Sequence, residues 1–512
     1  MSELHLQNLG VQPADEHNLR LVDSVHPVDW VNPEPAPRYH LVVIGAGTAG
    51  LVCAAGAAAL GARVALVERH LMGGDCLNVG CVPSKGVLRA ARAWHAANKS
   101  QERFAGPAHV GSGDFGEAMR RMRRLRADLA RVDGAPRFKE LGVDVFLGEG
   151  KFVAPDAVEV DGRRLVFRRA VIATGARATA PPIPGLSEVG YLTNETIFNL
   201  TELPRRFAVI GGGPIGCEMA QAFARFGAYT ALFDDGPHVL HREADDAAAI
   251  VQAALDRDGV RLELGVRVLE IVRRSRDGKE KLVRFERGGK VDEFVANEVL
   301  VAAGRAPNVE GLGLEAAGVA YGPRGVQVDD RLRTTNSRIF AAGDICSALK
   351  FTHNSDAQAR IVLRNALFAG RAKASDLILP WCTYTSPELA HVGISARDAE
   401  ARGMALDTVT VALADVDRAV LDGEDDGFLR LHLKRGSDRI LGATVVGEHA
   451  GEMAGALCLA IRNRVGLAAI AETIFPYPTQ SEALKKAADA WRRQKLTPFN
   501  RRLLKLWLWF KK

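Results

Sequence analysis

Cysteine is scarce in this chain, seven residues in 512, and an odd, sparse set excludes a secreted disulfide scaffold and points to a reducing compartment. The opening MSELHLQNLG lacks the basic and apolar regions of a secretory signal, so the cytoplasm is the expected location. Leu41 to Ala62 carries no charge and is long enough to cross a bilayer. It is nonetheless read as soluble, because it is mostly Ala and Gly, holds a turn signature and runs through Arg63 into the strand-like Val-Ala-Leu-Val-Glu. Acid is missing from Arg492 to Lys512, which carries eight basic residues, and without them the formal net charge of +6 leaves a near-neutral body. A distributed nucleic-acid surface is therefore not expected. The arginines of Gly116 to Ala130 (Arg120, Arg121, Arg123, Arg124, Arg126) read as a solvated helix face.

What is present begins with Gly73-Gly74-Asp75-Cys76-Leu77-Asn78-Val79-Gly80-Cys81-Val82-Pro83-Ser84-Lys85. Positions i and i+5 of an ideal helix lie about 140° apart, so Cys76 and Cys81 can bridge only through a distorted turn, which Gly80 and Pro83 permit. A neighbouring cation or helix N-terminus favours the reactive thiolate, and this gives Lys85 a chemical purpose. The stretch reads as a redox dithiol.

Two dinucleotide fingerprints flank it. The first is strand His40 to Ile44, then Gly45-Ala46-Gly47-Thr48-Ala49-Gly50, an alanine-rich helix, strand Arg63 to Val67 and the acid Glu68, which would hold a ribose hydroxyl. The second is strand Phe207 to Ile210, then Gly211-Gly212-Gly213-Pro214-Ile215-Gly216, a helix with Glu218, strand Tyr229 to Phe233 and Asp234. In each, the first glycine makes the tight turn, the second admits a pyrophosphate to the helix N-terminus and the third packs helix on strand. Asp234 and Asp235 would repel a 2′-phosphate, so NADH is expected over NADPH, which stays open.

At the dithiol the chain resembles the class I pyridine nucleotide-disulfide oxidoreductases, the family of dihydrolipoyl dehydrogenase, glutathione reductase and mercuric reductase, from about residue 40 to about residue 490. The resemblance implies an α/β fold of two Rossmann-like domains, for FAD and NAD(P)H, with a C-terminal α+β dimerisation domain. It implies Cys81 as the thiolate facing the flavin, Cys76 as the interchange thiol, and a Lys85–Glu218 ion pair beneath the ring. FAD contacts are implied for Gly45, Gly47, Gly50, Glu68, Gly74, Lys85, Gly150, Thr174 and Gly175 of Ala-Thr-Gly, for Asp344 on the ribityl chain and for the Thr352 backbone. Gly211, Gly213, Gly216, Asp234 and Gly304 would serve the nicotinamide nucleotide. No metal site is expected.

The expected layout is an extended or partly disordered arm at 1–39 with Trp30 docking it, a first FAD segment at 40–185, the NAD(P)H domain at 186–310, a second FAD segment at 311–379, the dimerisation domain at 380–491 and a basic tail at 492–512. The dimerisation domain would make a homodimer.

One departure bears on the acceptor. The family's disulfide reductases carry His-Pro-Thr-x-Ser-Glu, whose histidine acts from the partner subunit; here the run is Tyr477-Pro478-Thr479-Gln480-Ser481-Glu482. A phenol is a poor base at neutral pH, and Glu482 has lost the imidazole it would orient. Tyrosine here is similar to mercuric reductases, but their C-terminal cysteine pair is missing, since no cysteine follows Cys458, and so is an N-terminal Cys-x-x-Cys module. The expected activity is electron transfer from NADH through FAD and the dithiol to a disulfide or thiophilic metal. Dihydrolipoyl dehydrogenase-like activity and a membrane-associated binding or sensing flavoprotein are the alternatives.

The tail places Phe499, Leu503, Leu506, Trp507 and Phe510 on one helical stripe with Arg501, Arg502 and Lys505 away from it. That is the pattern of an interfacial helix on an anionic membrane across 496–512, too short to span. Packing on the body or the partner subunit, and a disordered basic end, are the other readings.

Overall fold

The computed structural model describes residues 3–108, 113–275, 277–368 and 370–511. Near-continuous apolar strands require cover on both faces, and they build a parallel sheet in the order Val143–Leu147, Val64–Glu68, Tyr39–Ile44, Arg163–Ile172, Ile339–Ala341. Helices Thr48–Ala59 and Thr352–Leu367 pack together on it, so closely that a Cβ on Gly56 would lie 2.5 Å from Leu363 Cδ1. The uncharged run at 41–62 thus divides into a strand and a helix, and no helix among the described residues is long and apolar enough to cross a membrane. The first half of Arg163–Ile172 continues as an antiparallel meander with Ala157–Val160 and Gly150–Ala154.

A second parallel sheet runs Arg261–Leu264, Tyr229–Asp234, Arg206–Ile210, Glu298–Val301, beside a three-stranded antiparallel sheet of Arg267–Arg273, Lys281–Arg287 and Lys290–Ala296. After it the chain returns to the first sheet through Ile339–Ala341. Five antiparallel strands follow, in the order Pro380–Thr383, Glu388–Gly393, Ile440–Gly447, Phe428–Lys434, Leu406–Ala412, covered by helices Ala450–Arg462 and Glu482–Gln494.

Two expectations need correction. Residues 3–39 are neither extended throughout nor loose: helices Glu3–Asn8 and Glu16–Val25 bury Leu6, Leu21, Val22 and Val25 in the first core, and Asp15 caps the second helix by accepting from His17 N and Asn18 N. Trp30 does dock the segment, donating from Nε1 to Val145 O at 3.2 Å. The arginine-rich helix, Phe115–Ala130, is not solvated all along its basic face, because Arg123 and Arg126 are only 5% and 3% exposed; both reach acceptors on the N-terminal segment. The tail is the helix its stripe suggested, Pro498–Phe510, and none of its residues is buried, so it does not pack on its own chain's body. Met1, Ser2 and Lys512 lie outside the described residues.

One aromatic cluster fixes the two nucleotide modules to each other. Phe223, on helix Pro214–Phe226, stacks on Phe207 with centroids 4.4 Å apart and meets Phe115 at 5.7 Å and Phe226 at 6.4 Å. The same core includes Val87, Leu88 and Ala91 of the helix that carries the second redox cysteine. Phe223→Ala is expected to lower the stability of the folded protein by about 3–5 kcal/mol through the cavity it opens, and Phe223→Leu by less; thermal unfolding of both variants checks the order.

Candidate active site

The redox stretch folds as two helices meeting at a break. Helix Gly74–Asn78 ends at Val79, Gly80 has φ −129° and ψ −118°, and helix Cys81–Phe104 begins at the second cysteine. A Cβ on residue 80 would lie 2.7 Å from Asp75 O and 3.2 Å from Cys76 Cα, so only glycine permits the return of the chain. Both cysteines are free thiols, Cys76 half-buried and Cys81 exposed. The neighbouring Cys76 thiol, with Thr352 and the Lys85 charge, lowers the Cys81 thiol to about 6 although desolvation opposes it. The neighbouring Cys81, with burial, pushes Cys76 up. The pair is thereby biased toward a thiolate at Cys81 and a thiol at Cys76.

Three elements converge on Cys81. Thr352, the first residue of helix Thr352–Leu367, places Oγ1 3.4 Å from Cys81 Sγ. Lys85, one turn along from Cys81, sets Nζ 3.1 Å from Glu218 Oε2, so the expected ion pair is present. Glu218, nearly buried, also accepts from Tyr384 N at 2.9 Å, and Lys85 Nζ lies 4.5 Å from the centre of the Tyr384 ring. Tyr384 escaped sequence reasoning, which has no local motif there to find it by.

Arg305 was also missed as a site residue. It pairs with Asp75, beside Cys76, approaches Asp344 Oδ2 at 3.8 Å and donates to Ala176 O at 2.7 Å. Burial raises the Asp344 carboxyl, an effect opposed by Arg305 and Lys350. Thr174 Oγ1 donates to Asn308 O at 2.9 Å and Asn308 Nδ2 to Thr174 O at 2.8 Å, which stitches Ala173-Thr174-Gly175 to the crossover at 305–308. A basic residue between two glycine-bounded motifs is the signal that could have singled out Arg305.

Each fingerprint fits a dinucleotide. Helices Thr48–Ala59 and Pro214–Phe226 start at Gly47 and Gly213, and neither N-terminus has a side-chain cap, which leaves N–H groups for a pyrophosphate. A Cβ on Gly213 would meet nothing within 4 Å, whereas one on Gly50 or Gly216 would lie 1.8 or 1.9 Å from the carbonyl oxygen of Gly45 or Gly211. Gly45 and Gly211 take φ of 98° and 111°. Gly47 faces Gly74 so closely that a Cβ on Gly74 would lie 2.7 Å from Gly47 Cα. Gly150 packs on Val67, next to Glu68, and Gly304, at φ 104°, lies against Thr179. Glu68 accepts from Ala46 N at 2.6 Å and His70 N at 2.8 Å; Asp234 likewise accepts from Gly212 N at 2.6 Å and Gly236 N at 2.8 Å. A carboxylate offers about four acceptor sites, so each can also take a ribose hydroxyl.

Tyr477 and Glu482 make their contacts elsewhere, within the C-terminal module. The Tyr477 phenol is 69% exposed and donates to Asp417 Oδ2 at 2.9 Å, which raises its pKa. Lys486 lies 3.4 Å from Asp417 and 3.6 Å from Glu482, whose Oε2 is buried without a partner.

The pyridine nucleotide-disulphide oxidoreductase model matches residues 39–359, and the dimerisation-domain model of the same family matches residues 379–488. The chain belongs to the pyridine nucleotide-disulphide oxidoreductases. A mercuric reductase of Bacillus cereus is 34% identical over 93% of this chain and 75% of its own length. A dihydrolipoyl dehydrogenase of Thermus scotoductus is 31% identical over 90% of this chain and 99% of its own. Among solved structures, the HOCl-induced flavoprotein disulfide reductase RclA of Escherichia coli superposes with a TM-score of 0.77 at 28% identity, covering 88% of this chain and 99% of that one. The protein is thus a flavoprotein oxidoreductase of two Rossmann-like domains and a dimerisation domain, in a family that uses FAD and NAD(P)H.

Protonating Cys81 removes the thiolate, and its lowered pKa places that loss near pH 6. In the reduced FAD-loaded enzyme the long-wavelength thiolate absorption is expected to hold at neutral pH and fade as pH falls through about 6. A pH titration of that band checks it; fading near the ordinary thiol range, about 8.5, would contradict the lowered Cys81 pKa.

Proposed function

We propose that the protein is an NADH-dependent reductase whose Cys76/Cys81 dithiol delivers electrons to a soft metal ion or a disulfide. The carrying observation is the setting of Cys81, whose Sγ lies 3.4 Å from Thr352 Oγ1 and one turn before Lys85, itself paired with Glu218, an arrangement that favours the thiolate at Cys81 over Cys76. Bound FAD would relay an electron pair from NADH to the disulfide. Its holding residues would be Gly45, Gly47, Gly50, Glu68, Gly74, Gly150, Thr174, Gly175, Asp344 and Thr352, with the Lys85–Glu218 pair beneath the ring; Gly211, Gly213, Gly216, Asp234 and Gly304 would hold NADH. In each turnover Cys81 serves as the flavin-side sulfur, and Cys76 Sγ meets the acceptor.

Tyr477, presented by the partner subunit of a homodimer, bears on the choice of acceptor. Its phenol already donates to Asp417, and the raised pKa leaves even less phenolate at neutral pH than in a free tyrosine. A disulfide acceptor that needs a proton shuttled at the interchange thiol is disfavoured relative to a thiophilic cation, which two sulfurs can ligate without one. The mercuric reductase relatives and the Cu(II) complex of the E. coli reductase support a soft-metal acceptor. Lipoamide remains the rival because of the dihydrolipoyl dehydrogenase relative. Asp234, pinned toward the glycine turn by two backbone amides, supports NADH, since a 2′-phosphate would meet its charge. Steady-state oxidation of NADH and NADPH with Hg²⁺, Cu²⁺, lipoamide, glutathione disulfide and quinones is expected to give the highest kcat/KM with NADH and a metal ion. Lipoamide turnover that is abolished by Tyr477→Phe, or a clear NADPH preference, would overturn the respective assignment.

We also infer that the tail rests on an anionic bilayer at the cytoplasmic face. Phe499, Leu503, Leu506, Trp507 and Phe510 are all exposed, Leu504, Leu508 and Trp509 widen the apolar surface, and Arg501, Arg502, Lys505 and Lys511 supply positive charge. Each basic residue near anionic headgroups is worth about 1 kcal/mol. Full-length protein should co-sediment with phosphatidylserine-containing vesicles, less so at high salt, and truncation after Lys495 should abolish this. Equal behaviour of the two proteins would leave the partner subunit as the surface that receives the tail.

A further inference from the structure

The redox stretch makes a buried polar connection that the proposed chemistry does not use. Arg126, 3% exposed, donates from NH1 to Asn78 O at 2.7 Å. Asn78 is one of the four residues between the two cysteines. From NH2 the same guanidinium donates to Asn18 Oδ1 at 2.6 Å, on the N-terminal helix Glu16–Val25. Asn18 is itself fully buried and held three ways: its amide donates to the Asp15 cap at 2.9 Å, its Nδ2 donates to Pro13 O at 2.8 Å, and its Oδ1 receives Arg126. Asp15 closes the cluster by accepting from Arg123 Nε at 2.5 Å.

The arrangement is costly unless it has a use. Two guanidiniums are buried against one carboxylate, and Arg123 NH1 and Arg126 Nε have no hydrogen-bond partner among the described residues. Apolar side chains would fill such a space at no such desolvation cost. What the guanidinium supplies is direction, because its planar fork fixes two acceptors at once. The Asn78 side chain holds the same stretch from the other side, donating to Met72 O at 3.0 Å and Gly74 O at 2.9 Å. The peptide between the cysteines is thereby clamped at both its carbonyl and its side chain.

We propose that Arg126 and Asn18 are positioning residues for the dithiol, so that the N-terminal segment is a working part of the redox centre. The proposal rests on the dithiol reading above. Closing the disulfide oxidises both thiols and passes two electrons and two protons to glutathione disulfide, which becomes two glutathione molecules. The equilibrium constant of that exchange measures how closely the fold holds the two sulfurs together, since a looser stretch lowers their effective concentration.

The test equilibrates the FAD-loaded full chain with glutathione buffers, traps free thiols by alkylation and counts them at Cys76 and Cys81 by mass spectrometry. Asn18→Ala is expected to lower the constant about five- to tenfold, where tenfold corresponds to about 30 mV for a two-electron couple, and to weaken the long-wavelength thiolate band. Asn18→Asp, which keeps an acceptor for Arg126, should stay near wild type. Leu21→Ala, which loosens the same helix and removes no hydrogen bond to Arg126, should lower Tm and leave the constant unchanged. If Asn18→Ala does not yield loaded protein, Asn18→Ser is read in the same way. An unchanged constant in Asn18→Ala, or an equal fall in Leu21→Ala, overturns the proposal. Failure of the dithiol reading is separately visible, as a wild type that forms no Cys76–Cys81 disulfide in any buffer.

Discussion

Residue 80 has no room for a Cβ, and the site depends on that constraint. With Asp75 O 2.7 Å from where the atom would sit, only glycine lets the chain double back between helix Gly74–Asn78 and helix Cys81–Phe104 and bring together two cysteines five residues apart. From that proximity follows the asymmetry of the pair, in which the Cys81 thiol is lowered and the Cys76 thiol raised. Thr352 and Lys85 then act on a thiolate already favoured. A longer side chain at residue 80 would force the break open and return both cysteines to ordinary thiol behaviour.

The surroundings of the pair are drawn from distant parts of the chain, which is why the fold is discontinuous. Lys85 is held by Glu218 from the second nucleotide module, Thr352 comes after the return to the first sheet, and Tyr384 opens the C-terminal module. Arg305 links the cysteine stretch, through Asp75, to Asp344. The Phe223 cluster and the Thr174–Asn308 bonds hold these parts in register. Each link is a modest interaction, and together they fix one geometry.

Patterns with strict local geometry were legible in the sequence. Both glycine fingerprints, the dithiol and the Lys85–Glu218 pair are dictated by spacing or carried by a resemblance that spacing supports. What depends on burial was not legible. Arg123 and Arg126 are the same residue type as their exposed neighbours Arg120 and Arg124, and they sit among Met119, Met122, Ala127 and Ala130 on the buried face of the helix, where their partners come from the N-terminal segment. The N-terminal segment, proline-bearing and without a sustained period, gave no sign of its two short helices, because their order comes from tertiary contact and from the Asp15 cap. Tyr384 and Arg305 were hidden for the same reason: their partners lie far away in the chain.

The central claim is that an electron pair resides on Cys76 and Cys81 between donor and acceptor, and electron counting tests it most directly. Anaerobic dithionite titration of the FAD-loaded enzyme should consume two electrons for the flavin and two more for the disulfide. Cys76→Ser and Cys81→Ser should each consume only the flavin's two. A wild type that accepts no more electrons than these variants would contradict the account.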